Sequence, residues 1–256
     1  MDTRLNPSFL DGYTSGSQHA RRVTEAWVAS NSYCPSCGNS KLTAFKNNNP
    51  VGDFYCSNCK QEYELKSSKT PFRTEVLDGA YSSMMRRIQS NNNPNFFLLN
   101  YSLVDMAVRD FAVIPRHFFV PNIIIRRKPL AATARRAGWV GCNISLKRIP
   151  DAGKIYLVRN GRSEDREIVL KSWRQTAFLS DWKVASRGWT VEMISVLEHL
   201  PDKFVLADVY RFEDELKKRF PLNRFVRDKI RQQLQVLRDQ GLLIFEGQGR
   251  YRKSTL

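Results

Sequence analysis

A chain of 256 residues, 42 % apolar and 11 % aromatic, is long enough for two modest domains with cores of their own and too apolar for a disordered chain. Its 41 Lys and Arg against 25 Asp and Glu leave a formal charge of +16, which calls for a polyanionic partner or an anionic membrane surface. No basic amphipathic helix stands out, and neither a bilayer-length apolar run nor a basic-then-apolar leader is visible, so a cytoplasmic location is expected.

Ser17–Ser30 (SQHARRVTEAWVAS) sets Ala20, Val23, Trp27 and Val28 roughly on one face and predicts a helix. Two C-x-x-C pairs follow, Cys34-Pro-Ser-Cys37 and Cys56-Ser-Asn-Cys59, at an interval that suits one zinc site. Four thiolates close a tetrahedron around Zn2+ and make it structural, and Gly38 permits the tight turn after the first pair. A redox dithiol is the competing reading, and disulfides are disfavoured in a reducing cytoplasm. Cys142 is left over and reads as a small buried apolar residue.

Val51–Cys56 predicts a strand, and Glu62–Lys66 (EYELK) a second one beyond the Cys56 pair. Thr74–Gln89 predicts a helix through Leu77, Tyr81, Met84, Met85 and Ile88, broken by Gln89–Pro94 (QSNNNP). Phe96–Tyr101 (FFLLNY) reads as a buried strand and Phe111–Ile114 as another, ended by Pro115. This order gives an α/β (α+β) layout around a small mixed sheet.

From Phe111 to Pro150 there is no acid, yet the stretch holds Arg116, Arg126, Arg127, Lys128, Arg135, Arg136, Lys147 and Arg148. Solvated surfaces mix signs, so phosphate contact is expected here. Within it, Ala132–Asn143 (ATARRAGWVGCN) reads as a loop with Trp139 between glycines.

After about Phe178 the pattern changes. Trp189–Leu200, Leu206–Phe220 and Arg224–Gln240 predict helices, and Leu242–Glu246 with Arg250–Lys253 a hairpin across Gly247-Gln-Gly249. Three helices and a terminal hairpin match a winged helix-turn-helix. The third helix turns Val226, Ile230, Leu234 and Leu237 inward and presents Arg224, Arg227, Arg231, Gln232, Gln235 and Arg238. Arg and Gln suit guanine and adenine edges in the major groove; an ordinary solvated face is the competing reading.

Asp53 and Glu64 fall on neighbouring predicted strands, so a hairpin can bring both carboxylates to one sheet edge. The two-residue period of a strand puts Glu64 and Lys66 on the same face. Such oxygens suit a hard divalent cation, Mg2+ above all, beside which Lys66 would orient water or stabilise charge on phosphate oxygens. The spacing alone carries little weight, but the preceding helix, the basic stretch and the DNA-reading helix strengthen it. His19, His117 and His199 are scattered, which argues against a histidine mechanism. Glu25 is either an outer contact to the metal or a plain surface glutamate.

At these residues the chain resembles the PD-(D/E)XK nuclease superfamily and, within it, the DpnI-like methyl-directed restriction endonucleases. The resemblance runs through TEAWV (Thr24–Val28), YCPSCGN (Tyr33–Asn39), DFYC (Asp53–Cys56), ELKS (Glu64–Ser67) and DGAY (Asp78–Tyr81). It continues through NNPNFF (Asn92–Phe97), RKPLAATARRAGWVGCNI (Arg127–Ile144), SRGWT (Ser186–Thr190) and KIRQQLQVLRD (Lys229–Asp239). It implies double-strand cleavage of DNA at GATC sites carrying N6-methyladenine. The implied architecture is a PD-(D/E)XK core with an inserted four-cysteine zinc knuckle over residues 1–182, then a winged-helix domain over 183–256 that also reads sequence. Asp53, Glu64 and Lys66 fall on the catalytic motif positions; Pro50, leading into the strand, stands apart from Asp53 rather than adjacent to it. A requirement for methyl needs an apolar surface in the major groove, for which Trp139 is the candidate, with Arg135 and Arg136 on neighbouring phosphates; a core tryptophan under the loop is the competing reading. Two other readings stay open: a zinc-ribbon and winged-helix DNA-binding regulator without nuclease activity, and a nuclease with a different modification dependence.

Overall fold

A computed structural model of the chain describes residues 1–10, 16–45 and 52–254. Pro50 and Val51 lie outside the described residues. Helix α1 (Gly16–Asn31) turns Val23, Trp27 and Val28 into the core as its periodicity predicts. Then come β1 (Thr43–Ala44), β2 (Phe54–Tyr55), β3 (Glu62–Ser68), β4 (Glu75–Ala80), α2 (Tyr81–Gln89), β5 (Asn95–Ser102) and β6 (Ala107–Ile114). The first part of the chain ends with β7 (Ile124–Arg126), β8 (Gly141–Ser145), β9 (Ile155–Arg159), β10 (Arg162–Ser163) and α3 (Arg166–Thr176).

Seven strands make one mixed sheet in the order β1-β2-β3-β5-β6-β9-β10, with β3 and β5 parallel and the other described pairings antiparallel. Parallel neighbours cannot be joined by a tight turn, so the chain between them must cross over the sheet. That crossover is β4 and α2, and it passes over the face from which Glu64 and Lys66 project. Strand β5 is buried on both sides: Phe97 and Leu99 pack with α1 and α3, while Phe96 and Leu98 face α2 and the C-terminal helices.

The helix expected over Thr74–Gln89 is half strand. Only Tyr81–Gln89 is helical, and Glu75–Ala80 pairs antiparallel with β8, which pairs in turn with β7. Val76 is buried while Leu77 is 65 % exposed, the alternation of a strand. Pairing with a distant segment overrides a local spacing that also fits a helix. The loop expected to run to Asn143 gives way to β8 at Gly141.

The C-terminal domain comprises α4 (Val184–Glu198), β11 (Lys203–Val205), α5 (Leu206–Tyr210), α6 (Glu213–Arg219), α7 (Val226–Asp239), β12 (Leu243–Gly247) and β13 (Arg250–Lys253). The single helix expected over Leu206–Phe220 is two, interrupted at Arg211 and Phe212. Helix α7 buries Val226, Ile230, Leu234 and Leu237. Strands β11, β13 and β12 form an antiparallel wing whose turn residues Gln248 and Gly249 both have positive φ, 49° and 72°, as a tight hairpin of matching twist requires.

Helix α4 is buried on nearly every side, because α7 packs on one flank and the first domain on the other. Its Arg187 donates to Asn91 Oδ1 at 2.9 Å and to the Phe119 carbonyl at 3.2 Å. One hydrophobic cluster therefore runs from Met84 and Ile88 of α2 through Phe118 and Phe119 into α4 and α7. No helix among the described residues is long and apolar enough to cross a membrane.

Candidate active site, metal centre and nucleic-acid interface

Asp53 sits in a bend just before β2, not within a strand as expected. Its amide donates to the Tyr63 carbonyl at 2.9 Å, and its Oδ2 accepts from the Leu65 amide at 2.7 Å. The carboxylate thus takes over from the β2–β3 ladder where that ladder ends, and is fixed beside Glu64. Gly52 makes the approach possible, since a Cβ there would lie 3.0 Å from the Tyr63 oxygen.

Glu64 and Lys66 do share a face. Lys66 Nζ lies 2.6 Å from Glu64 Oε1 and 2.7 Å from Oδ1 of Asp78, with the Phe96 ring 5.5 Å away. Asp53, Glu64 and Asp78 line one pocket of about 270 Å³ together with Ser83, Met84 and Arg87 of α2. The sequence alone does not single out Asp78. Its one signal is the DGAY segment, which a helical reading of 74–89 absorbs. Glu25, the other candidate acid, is paired with Arg21 at 2.6 Å.

Burial holds the Glu64 carboxyl above its ordinary range, and the Lys66 ammonium only partly offsets this. Burial disfavours the Lys66 charge, but attraction to Glu64 and then Asp78 outweighs it, so Lys66 titrates above its ordinary value and is an ammonium at neutral pH. Asp53, Glu64 and Asp78 outnumber the two cations beside them, Lys66 and Arg87, and leave the pocket net anionic, and a hard oxygen-seeking divalent cation fits the oxygens of Asp53 and Glu64. The acids are more widely spaced than the thiols: among the described residues only the four cysteines gather their ligand atoms within 4.8 Å of one another.

In that cluster Cys34 and Cys59 Sγ are 3.5 Å apart, and Cys37 and Cys56 Sγ 3.6 Å. Tetrahedral zinc with Zn–S near 2.3 Å wants thiolates roughly 3.8 Å apart, so the four fit that ion. All five cysteines are free of disulfides. Each knuckle closes the same way: Gly38 N donates to Cys34 O at 2.8 Å and Lys60 N to Cys56 O at 3.0 Å. Gly38 and Lys60 both stand in the left-handed region, at φ 77° and 60°. Donors surround the sulfurs, with Asn39 Nδ2 3.6 Å from Cys56 Sγ, Asn58 Nδ2 3.5 Å from Cys37 Sγ, and the Tyr63 hydroxyl 3.1 Å from Cys34 Sγ. Tyr63 precedes Glu64 in β3 and stacks on Phe97 at 4.5 Å, which ties the cluster to the strand that carries the pocket.

The basic loop rises from the edge of the second sheet. Cys142, buried as expected, pairs with Asp78 on one side and Arg126 on the other, so the loop between β7 and β8 leaves the sheet next to the pocket. Arg135 and Arg136 are exposed, and the Arg136 guanidinium covers the Trp139 ring at 4.7 Å. The other support of that ring is Gly141, where a Cβ would come within 2.8 Å of the indole. Trp139 is half-buried against its own loop.

On α7, Arg227, Arg231, Gln232 and Gln235 are exposed as expected; Arg224 is exposed too but precedes the helix. Arg227 is paired with Glu213 at 2.7 Å and lies over the Tyr210 ring. Arg231 bonds the Tyr210 hydroxyl at 2.9 Å and pairs with Asp228, and Gln232 accepts from Lys229 at 2.8 Å. The face is therefore internally braced rather than a row of unpaired charge.

A mixed α/β domain with an acid–lysine pocket, followed by a helical domain with a basic helix and a wing, defines a two-part DNA-acting protein. Residues 1–182 match the model of DpnI, the Dam-replacing family, and residues 185–253 that of DpnI_C, the Dam-replacing HTH domain. The chain belongs to the DpnI, or Dam-replacing, family. The resemblance to DpnI-like restriction nucleases holds, and the helix-turn-helix domain makes DNA its partner.

Proposed function

We propose that the chain is a Mg2+-dependent type II restriction endonuclease, methyl-directed, which makes double-strand cuts at GATC sites containing N6-methyladenine. Residues 1–182 are its PD-(D/E)XK catalytic domain with a structural zinc, and 183–256 its winged-helix DNA-binding domain. The observation that carries this reading is the meeting of Asp53 and Glu64 at one anionic pocket, with Lys66 paired to Glu64 at 2.6 Å, in a chain of the DpnI family. Asp53 and Glu64 would hold the Mg2+, which when bound supplies positive charge to polarise a scissile phosphate and acidify a water molecule. Lys66 keeps its proton beside these acids and stabilises charge that builds on the phosphate oxygens. Cys34, Cys37, Cys56 and Cys59 would hold Zn2+ and brace the two sides of the β2–β3 hairpin.

Base reading is divided between the two domains. Trp139, with Arg135 and Arg136 beside it, is the candidate surface for the adenine methyl group, and Arg224, Arg227, Arg231, Gln232 and Gln235 face the groove from the second domain. A digest of adenine-methylated, hemimethylated and unmethylated plasmid, each with Mg2+ and with EDTA, tests the proposal. It predicts fragments ending at GATC from the methylated plasmid with Mg2+, and none from the unmethylated plasmid or with EDTA. No cutting on any background would make the chain a DNA-binding regulator, and equal cutting of unmethylated plasmid would overturn the methyl dependence.

A further inference from the structure

Lys66 is held by two carboxylates of different origin. Glu64 comes from its own strand, β3, whereas Asp78 reaches it from β4, across the gap between the two sheets. The Asp78 side chain is only 8 % exposed. Its Oδ1 faces Lys66 Nζ, while its Oδ2 has the Cys142 thiol at a long 4.0 Å. The register of β4 against β8 shifts between Asp78 and Ala80, a bulge that re-aims the strand at this side chain.

Two demands fall on Glu64 in the nuclease reading, on which this inference rests. It must hold a divalent cation and also restrain an ammonium on a flexible four-carbon stem. A carboxylate whose charge is shared with a divalent ion attracts an ammonium less, by simple Coulomb reasoning. We propose that Asp78 is the positioning residue for Lys66: it anchors the ammonium through a carboxylate that does not hold the cation, so Lys66 stays aimed at the phosphate when Glu64 is engaged. No bond to Asp78 is made or broken in the reaction. The competing role is a cross-sheet ion pair that merely fastens β4 to β3.

The test compares the Asp78→Asn and Asp78→Glu variants with the wild-type chain. Displacement of a catalytic group by about an ångström costs about 100-fold in rate, so Asp78→Asn should cut methylated plasmid about 100-fold more slowly in single turnover at saturating Mg2+. Mn2+ binding by the protein without DNA, read by calorimetry, and DNA affinity should both match wild type. Asp78→Glu, which restores a carboxylate, should recover part of the rate. Wild-type cutting by Asp78→Asn would overturn the inference. So would weaker Mn2+ binding, which would make Asp78 a metal ligand, or equal loss in both variants with lowered Tm, which would make it a fastener. A wild-type chain that cuts no DNA sinks the nuclease reading, whereas wild-type cutting beside an equally active Asp78→Asn variant sinks this inference alone.

Discussion

Replacing His117 by Gln should flatten the acid side of the stability profile. His117 is fully buried where the end of β6 meets α3, with Nε2 3.0 Å from Thr176 Oγ1 and Nδ1 3.1 Å from Ser180 Oγ. Burial, then the positive charges of Arg187 and Arg116, lower its pKa from 6.5 to about 3. The folded chain therefore excludes a proton that the unfolded chain accepts. Above pH 6.5 both states are neutral and the residue contributes no pH dependence. As pH falls below 6.5 the unfolded state gains protons first, and stability is lost until the folded state also protonates near pH 3. At about 1.36 kcal/mol per unit, pH 5 lies far enough below 6.5 for a loss of about 2 kcal/mol. For a chain of this size that is a Tm change of about 4–8 °C. Thermal melts of wild type and His117→Gln at pH 7.5 and pH 5 isolate the effect, because other titrating groups are common to both. Wild type should lose those degrees in excess of the variant, whatever the variant's Tm at pH 7.5. Parallel slopes would refute the reasoning.

Cys37→Ser should abolish cleavage, because a structural zinc is worth about 10–16 kcal/mol and Tyr63 couples its site to Glu64; filter binding should still find DNA held by the C-terminal domain. Undiminished cutting by that variant would disprove the coupling. Trp139→Ala should lose about 10- to 200-fold in discrimination between methylated and unmethylated plasmid, the scale of one methyl contact, and unchanged discrimination would remove Trp139 from the reading. Arg224→Ala should weaken DNA binding by about 1–3 kcal/mol and relax discrimination at one base pair, checked by binding titrations against sites altered one base pair at a time. Unchanged affinity and discrimination would place Arg224 off the bases.

Local pattern makes much of this legible. Helix α1, strand β3 and the inward stripe of α7 each carry a period that their neighbours reinforce, β5 is a short unbroken apolar run, and the paired C-x-x-C spacing needs no tertiary information. Glu64 and Lys66 share a face because they are two apart in a strand. What escapes is non-local. Leu77, Tyr81, Met84 and Ile88 satisfy helical spacing, but Glu75–Ala80 is claimed by Gly141–Ser145, far along the chain. Asp78 disappears with that strand, since its role depends on a crossover that no local period announces. Likewise Gly141 reads as a loop breaker, whereas its missing side chain makes room for the Trp139 ring. Helix α4 looks like an ordinary first helix of a separate domain, and its burial on nearly every side shows that the two domains share a core.

The most direct test is cleavage of adenine-methylated plasmid with Mg2+ by Asp53→Ala and Glu64→Ala, beside melts and DNA-binding curves of the same preparations. The prediction is a rate at least about 1000-fold below wild type in each, the scale on which a transition-state charge contact acts, with Tm and DNA affinity retained. Cutting at the wild-type rate by either variant would contradict the assignment of that carboxylate, and with it the nuclease site.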